Sequence, residues 1–264
     1  MSVFNKTSFV IILFFCYGCE EEVFTLDNPL DPENPEYIPP QITITSGPSD
    51  NEVVENSEIS FSWDGNEGGM LYQYKFNDYL SPWTENKEAK FEYLDEENYF
   101  FKIQSKYTTG DTSKAIPVNF TVDAVKGPAL LFYPRRHIAT VGNSINFKIQ
   151  TEEVQNVTGI EFSISFNPSI LKINSISKGQ YLSSFQETIF HADYDNEAGS
   201  LSIISAILGN DLVMSGTGEL VNIELEILSE GNAILSFDGT QIFKDINNNI
   251  IVIYDVINGL VQIE

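Results

Sequence analysis

The chain has 264 residues, enough for one large domain or two modest ones, and an apolar share of 42% that can fill a real core. Its 14 lysines and arginines face 38 aspartates and glutamates, a formal net charge of −24. A surface this poor in cations argues against nucleic acid and against a basic-patch hold on anionic lipid. The acidity keeps a protein soluble and monomeric, and leaves open the steering of a cationic partner or binding of Ca²⁺.

The first 22 residues, MSVFNKTSFVIILFFCYGCEEE, carry one cation, Lys6, then an apolar run from Phe9 to Phe15, then Gly18-Cys19. That order is a secretory signal, too short to span a bilayer stably. A small residue directly before a cysteine at the end of the apolar run resembles the bacterial lipobox, with Cys16 standing where leucine is usual. The resemblance implies that residues 1–18 are removed and that Cys19, acylated on its thiol, becomes a lipid anchor in the outer membrane. Glu20, Glu21 and Glu22 resemble the surface-export signals of some Gram-negative lipoproteins. Cleavage elsewhere would leave a secreted protein without lipid. Cys16 and Cys19 are the two cysteines of the chain, so the rest of it has neither a disulfide framework nor a thiolate metal site.

From Glu20 to Pro40 there are seven acids, five prolines and no cation. Proline removes amide donors and restricts its predecessor, so residues 19–40 are expected to form an extended acidic stalk. In polyproline II form, at about 3.1 Å per residue, such a stalk would reach roughly 60 Å.

After residue 40 no useful helical period appears; period-two alternation broken by turn residues predicts an all-β chain. In residues 41–124, Ile59, Phe61 and Trp63 share one strand face, and Tyr72, Tyr74 and Phe76 another. Three aromatics at strand spacing are core far more often than a sugar platform. Roughly seven short strands with an early tryptophan suggest an immunoglobulin-like sandwich. The stretch LDEENY, 94–99, resembles the tyrosine corner of fibronectin type III domains. Gly127-Pro128 punctuates the boundary to a second unit, 129–264.

The second unit reads as about nine strands, among them 144–151, 159–166, 170–177, 200–208, 218–228, 233–237 and 259–263. In 159–166, Ile160, Phe162, Ile164 and Phe166 face one way and Glu161, Ser163 and Ser165 the other, one oily face and one small polar one. In SLSIISAIL, Ser202, Ile204 and Ala206 point away from Leu201 and Ile203; an outward isoleucine is either covered by a loop or kept for a partner.

The segments ATVGNSINFKI, VTGIEFSISFNPSILKINSISKGQYL, EAGSLSIISAIL, GTGELVNIELEIL, GNAILSF and NGLVQIE follow in this order. Together they resemble the cohesin family across residues 129–264. The aromatic-Asn-Pro-x-x-Leu turn, the G-x-G-x-L strand opening and the terminal Asn-Gly strand carry the likeness. With the stalk and first sandwich, the order is similar to that of bacterial surface lipoproteins. The resemblance implies a nine-stranded jelly-roll β-sandwich that binds dockerins, small Ca²⁺-loaded modules usually fused to polysaccharide-degrading enzymes. It also implies a recognition face on one flat sheet, with strands equivalent to 159–166, 188–193 and 200–208. Glu161, Ser163, Ser165, Ser202, Ile204 and Ala206 are then the candidate partner-binding residues, with Asn210-Asp211 a weaker match to the family's acid-bearing loop.

Other chemistry finds little support. His191, Asp193 and Asp195 share a strand face and either ligate Zn²⁺ or are simply solvated; His137 stands apart. DINNNIIVIYD starts like a calcium loop, but Ile250 stands where glycine is needed and Val256 where an acid is, so a hairpin turn is expected. There is no nucleophile elbow, zinc-protease motif or phosphate loop, and nothing places two carboxylates in a cleft. No enzyme, cofactor or metal is expected. The competing function is a carbohydrate-binding or adhesive surface protein that holds polysaccharide on exposed Tyr79, Trp83 or Tyr181; a purely architectural spacer is a third.

Overall fold

The computed structural model describes residues 28–209 and 212–264, so Cys19, the signal segment and Asn210-Asp211 lie outside the described residues. Pro40–Glu264 form one compact unit.

The described part of the spacer is not an extended rod. Asn28-Pro29-Leu30, Asp31-Pro32-Glu33 and Asn34-Pro35-Glu36 each form a turn. The first side chain of each triplet accepts the N–H two residues on, that of Leu30 at 3.1 Å, Glu33 at 3.0 Å and Glu36 at 2.8 Å. Its carbonyl accepts the N–H three residues on, that of Asp31 at 3.1 Å, Asn34 at 2.9 Å and Tyr37 at 3.0 Å. Proline pre-sets the second turn position, and the Asx oxygen closes a ring that mimics a backbone turn. Three turns in series shorten this stretch well below the polyproline II reach.

The compact unit is all-β. Its first eight strands are β1 (Ile42–Ser46), β2 (Glu52–Val54), β3 (Ile59–Gly65), β4 (Leu71–Phe76), β5 (Tyr79–Leu80), β6 (Glu88–Phe91), β7 (Asn98–Lys106) and β8 (Ile116–Val122). They form two sheets, β1-β3-β6 and β2-β8-β7-β4-β5. The aromatics alternate inward and join the sheets: Phe61 stacks on Phe101 at 3.8 Å, and Phe76 on Phe91 at 3.8 Å. Within residues 94–99 the Asp95 N–H donates to the Tyr99 hydroxyl at 2.8 Å.

The remaining strands are β9 (Ala129–Tyr133), β10 (Arg136–Ala139), β11 (Ser144–Ser165), β12 (Leu171–Lys178), β13 (Thr188–Asp195), β14 (Ser200–Ile207), β15 (Met214–Ile227), β16 (Ala233–Asp245), β17 (Ile250–Ile251), β18 (Asp255–Ile257) and β19 (Gly259–Ile263), with one short helix, α1 (Gln180–Ser183). There are eleven strands where about nine were expected; β9, β10 and the short β17 and β18 stand beside the segments named from the sequence. The two segments predicted as separate strands at 144–151 and 159–166 are one strand of 22 residues. Its first half pairs with β9 and β15, its second with β14 and β16, so β11 passes from one layer to the other. At the bend Glu153 and Asn156 take φ of 50° and 56°, and their N–H groups donate to the Thr217 and Ser215 hydroxyls. Between the layers lies a core that includes Phe147, Phe162, Ile164, Ile203, Leu220 and Phe243. The G-x-G opening of β15 has a steric cause. A Cβ on Gly218 would sit 2.0 Å from the Tyr181 ring, and Gly216 holds φ of 100°.

Polar groups tie the two sandwiches together. Arg135 is buried, and its guanidinium pairs with Glu96, whose other oxygen accepts the N–H groups of Ala124 at 2.8 Å and Val125 at 3.3 Å. The Asp95 carboxylate accepts the Arg135 N–H at 2.7 Å, and the Tyr133 hydroxyl donates to Glu97. Thus the acidic corner of the first sandwich grips the start of the second.

Burial pushes the Asp95 carboxyl from 3.8 up to about 6, the Arg135 N–H offsetting part of the shift. The unfolded chain loses this proton near 3.8 and the folded one only near 6. Stability from this group therefore falls as pH rises across that window and is flat above it. Asp95→Asn keeps an acceptor for Arg135 without the buried charge. The variant is expected to lose the fall and to melt higher than wild type at pH 7; parallel melting curves at pH 4.5 and 7 check this, and equal pH slopes would refute it.

Candidate functional site

The second half of β11 lies between β16 and β14, with β13 outermost, and antiparallel pairing sets the outward side chains in rows. Directly opposed residues share a sheet face. One row runs Lys244, Gly159, Ala206, Ile189; the next runs Ile242, Glu161, Ile204, His191. A third runs Asp238, Ser163, Ser202, Asp193, and a fourth Ser236, Ser165, Ser200, Asp195. All six candidate partner-binding residues therefore lie together. Ile160, Phe162, Ile164 and Phe166 are buried on the other side. Ile204 is 43% exposed, so no loop covers it. Its neighbour Ser205 points inward, and its hydroxyl donates to the Ile189 carbonyl at 2.8 Å.

The face has two chemical ends. Ile204 and Ile242 flank Glu161 at one, with Ile189 in the next row, while Asp193 and Asp238 flank paired serines at the other and line a shallow hollow of about 660 Å³. The sequence reading missed the β16 contribution. Asp238-Gly239-Thr240 looks like the end of a strand, yet it is a bulge: Ser163 opposes Asp238 while Glu161 opposes Ile242, and the strand continues. The alternation of Ile242, Phe243 and Lys244 was the available signal.

A family model describes residues 137–263 of this chain as a cohesin domain. Residues 137–263 are a cohesin domain. Solved structures similar to the chain include a non-cellulosomal cohesin from the archaeon Archaeoglobus fulgidus, 18% identical, covering 52% of this chain and 90% of that one, with a TM-score of 0.44. A type II cohesin from the cellulosome of Acetivibrio cellulolyticus is 20% identical, covers 50% and 94%, and has a TM-score of 0.45. The cohesin of a type I cohesin–dockerin complex from Clostridium thermocellum is 14% identical, covers 52% and 98%, and has a TM-score of 0.46. No curated protein matches the chain.

Within the cohesin domain, the other candidate sites take structural roles. Asp195 accepts the N–H groups of Ala198 and Glu197, which hold its carboxyl below the usual range. Among the described residues no group of three His, Cys, Asp or Glu is arranged to hold a metal. His137 packs edge-on against Phe147, its Nε2 2.8 Å from the Asn146 carbonyl. The Asn-rich segment is a hairpin turn: the Asp245 carboxylate accepts the N–H groups of Asn247 at 2.9 Å and Asn249 at 2.7 Å. Of the three aromatics considered for sugar, Tyr79 is well exposed, but Trp83 lies under the Lys106 ammonium at 4.4 Å. Tyr181 packs against the cohesin core and gives its hydroxyl to the Ser215 carbonyl.

Proposed function

We propose that the chain is a non-catalytic surface protein whose cohesin domain captures dockerin-bearing proteins, with polysaccharide-degrading enzymes as their cargo. The observation that carries this reading is the outward face of β11 and β14. It brings Glu161, Ser163, Ser165, Ser202, Ile204 and Ala206 onto one flat wall of a cohesin domain. Small hydroxyls permit close approach, a sparse acid selects a donor, and an exposed isoleucine supplies apolar area. In this reading Cys19 is the lipid anchor in the outer membrane, the Asx-Pro turns are a compact spacer, and the first sandwich is an immunoglobulin-like support joined firmly to the cohesin domain.

The test is calorimetric titration of the protein against Ca²⁺-loaded dockerin modules encoded in the same genome, with membrane fractionation of Cys19→Ser alongside. At least one module should bind, and the cysteine variant should leave the membrane fraction. Binding by none would remove the capture role, and a variant held as tightly as wild type would remove the anchor.

A further inference from the structure

The rows of the docking face do not stop at β16. Lys244 is opposed on its far side by Ile250 of β17, so Ile250 shares the outward face with Lys244, Gly159, Ala206 and Ile189. Past it the chain keeps alternating: Ile251 and Ile253 pack on the core, while Val252 stands out. Ile250 is 70% exposed and Val252 61%. The turn that presents them needs neither side chain. It is held by the Asp245 carboxylate, by Asn249 Nδ2 donating to it at 2.9 Å, and by Lys244 Nζ donating to Asn248 at 2.8 Å. A rigid hairpin thus carries two branched aliphatics that contribute nothing to its own geometry, beside Ile242 and Ile204. Exposed apolar area that continues a recognition surface marks where a partner lies.

The opposite end of the face is acidic. Asp193 and Asp238 sit two rows from Lys244 and Ile250, an offset of about 14 Å along β11, with Asp238 on β16 beside β17 and Asp193 three strands farther across on β13. They flank the serine pair and line the hollow, and the chain around them carries a net charge of −24, so the complementary occupant is a cation.

Resting on the capture reading above, we propose that the β16–β17 hairpin is the specificity-determining edge of the docking face. Ile250 and Val252 receive an aliphatic or aromatic ridge of the dockerin, while Asp238 and Asp193, on either side of the serine pair, receive lysine or arginine side chains of the same partner. Asp238 lies one strand from Ile250, and about 14 Å is roughly nine residues of helix, so the favoured partner carries its apolar anchor and the cation that meets Asp238 some nine positions apart, while Asp193, three strands farther across, meets another part of it. The two ends act differently. The apolar end slows dissociation whatever the ionic strength, and the acidic end is screened as salt rises, the Debye length being about 10 Å at 0.1 M.

The experiment titrates the protein against the same dockerin modules at low and high salt, using Ile250→Asp with Val252→Asp, Asp193→Asn with Asp238→Asn, Ser163→Arg, and Val53→Asp in the first sandwich as a surface control. Melting curves establish that each variant is folded. The hairpin pair is expected to raise Kd by about tenfold or more at both salt concentrations. The aspartate pair should raise it several-fold at low salt and flatten the salt dependence, and Val53→Asp should bind as wild type. If Ser163→Arg abolishes binding while both end pairs bind normally, the face is right and the hairpin proposal is wrong. If Ser163→Arg also binds normally, the docking face itself lies elsewhere, and the proposal falls with it.

Discussion

Arg135→Ala is expected to lower the melting temperature by about 6–20 °C and to split unfolding into two transitions. The Arg135 side chain is 7% exposed and that of its partner Glu96 15%. Removing one member of such a pair typically costs about 3–5 kcal/mol, because the remaining charge stays buried. Each kcal/mol moves the midpoint of a domain of this size by about 2–4 °C. Glu96 still holds the N–H groups of Ala124 and Val125, which places the loss toward the lower end. The same substitution removes the ion pair between the sandwiches, so each should then melt more nearly alone. Combining Arg135→Met with Glu96→Gln removes both charges and should recover most of the loss. Lys126→Ala, which breaks an exposed pair with Glu55, is the control and should leave the curve unchanged. A single transition at the wild-type temperature for Arg135→Ala would show that the remaining contacts, the Asp95 and Glu97 hydrogen bonds among them, couple the sandwiches without the ion pair.

This joint had no signature in the sequence. Residues 94–99 resemble a tyrosine corner, which says nothing of a partner for Glu96, and nothing near Arg135 in the chain points to one. Their pairing spans 39 positions, and no local pattern encodes a contact that depends on how two sandwiches meet. The face of β11 was legible for the opposite reason. With a side-chain period of two and one side buried, the oily set Ile160, Phe162, Ile164 and Phe166 leaves no choice about where Glu161, Ser163 and Ser165 point. The same logic placed Ser202, Ile204 and Ala206. It failed where the backbone departs from regular pleat. The bend at Glu153 and Asn156 looks like a polar loop and is continuous strand, and the bulge at Asp238 looks like a strand end. In the spacer, proline content pointed to an extended chain, although the three-residue spacing of Asn28, Asp31 and Asn34 already carried the Asx-Pro turn signal. Composition describes what proline forbids; the residue before it decided what formed.

The second large effect separates the two faces of the strand. Ile164 is 1% exposed and belongs to the cohesin core, directly opposed by Leu201 and Phe237. Ile164→Ala removes three carbons from a site clamped by two neighbouring strands, which allows little collapse, and is expected to cost about 2–5 kcal/mol. One residue away, Ser163 faces outward between Ser202 and Asp238. Ser163 and Ser165 are half-buried on the outer face, and Ser163→Arg and Ser165→Arg add bulk that can extend into solvent without reaching the core, so they should stay near the roughly 0.5 kcal/mol typical of surface changes. The nearby acids Asp193 and Asp238 even offer the new guanidinium a partner. For a dockerin that must approach the same wall, an arginine at its centre is a steric and electrostatic block that should cost about 2 kcal/mol or more of binding. The paired measurement is thermal unfolding and titration on the same samples. Ile164→Ala should melt early and, below its midpoint, still bind; the arginine variants should melt as wild type and fail to bind. Arginine variants that unfold like the cavity variant would invert the face assignment. Arginine variants that stay folded and bind normally would leave the Glu161, Ser163 and Ser165 face to solvent.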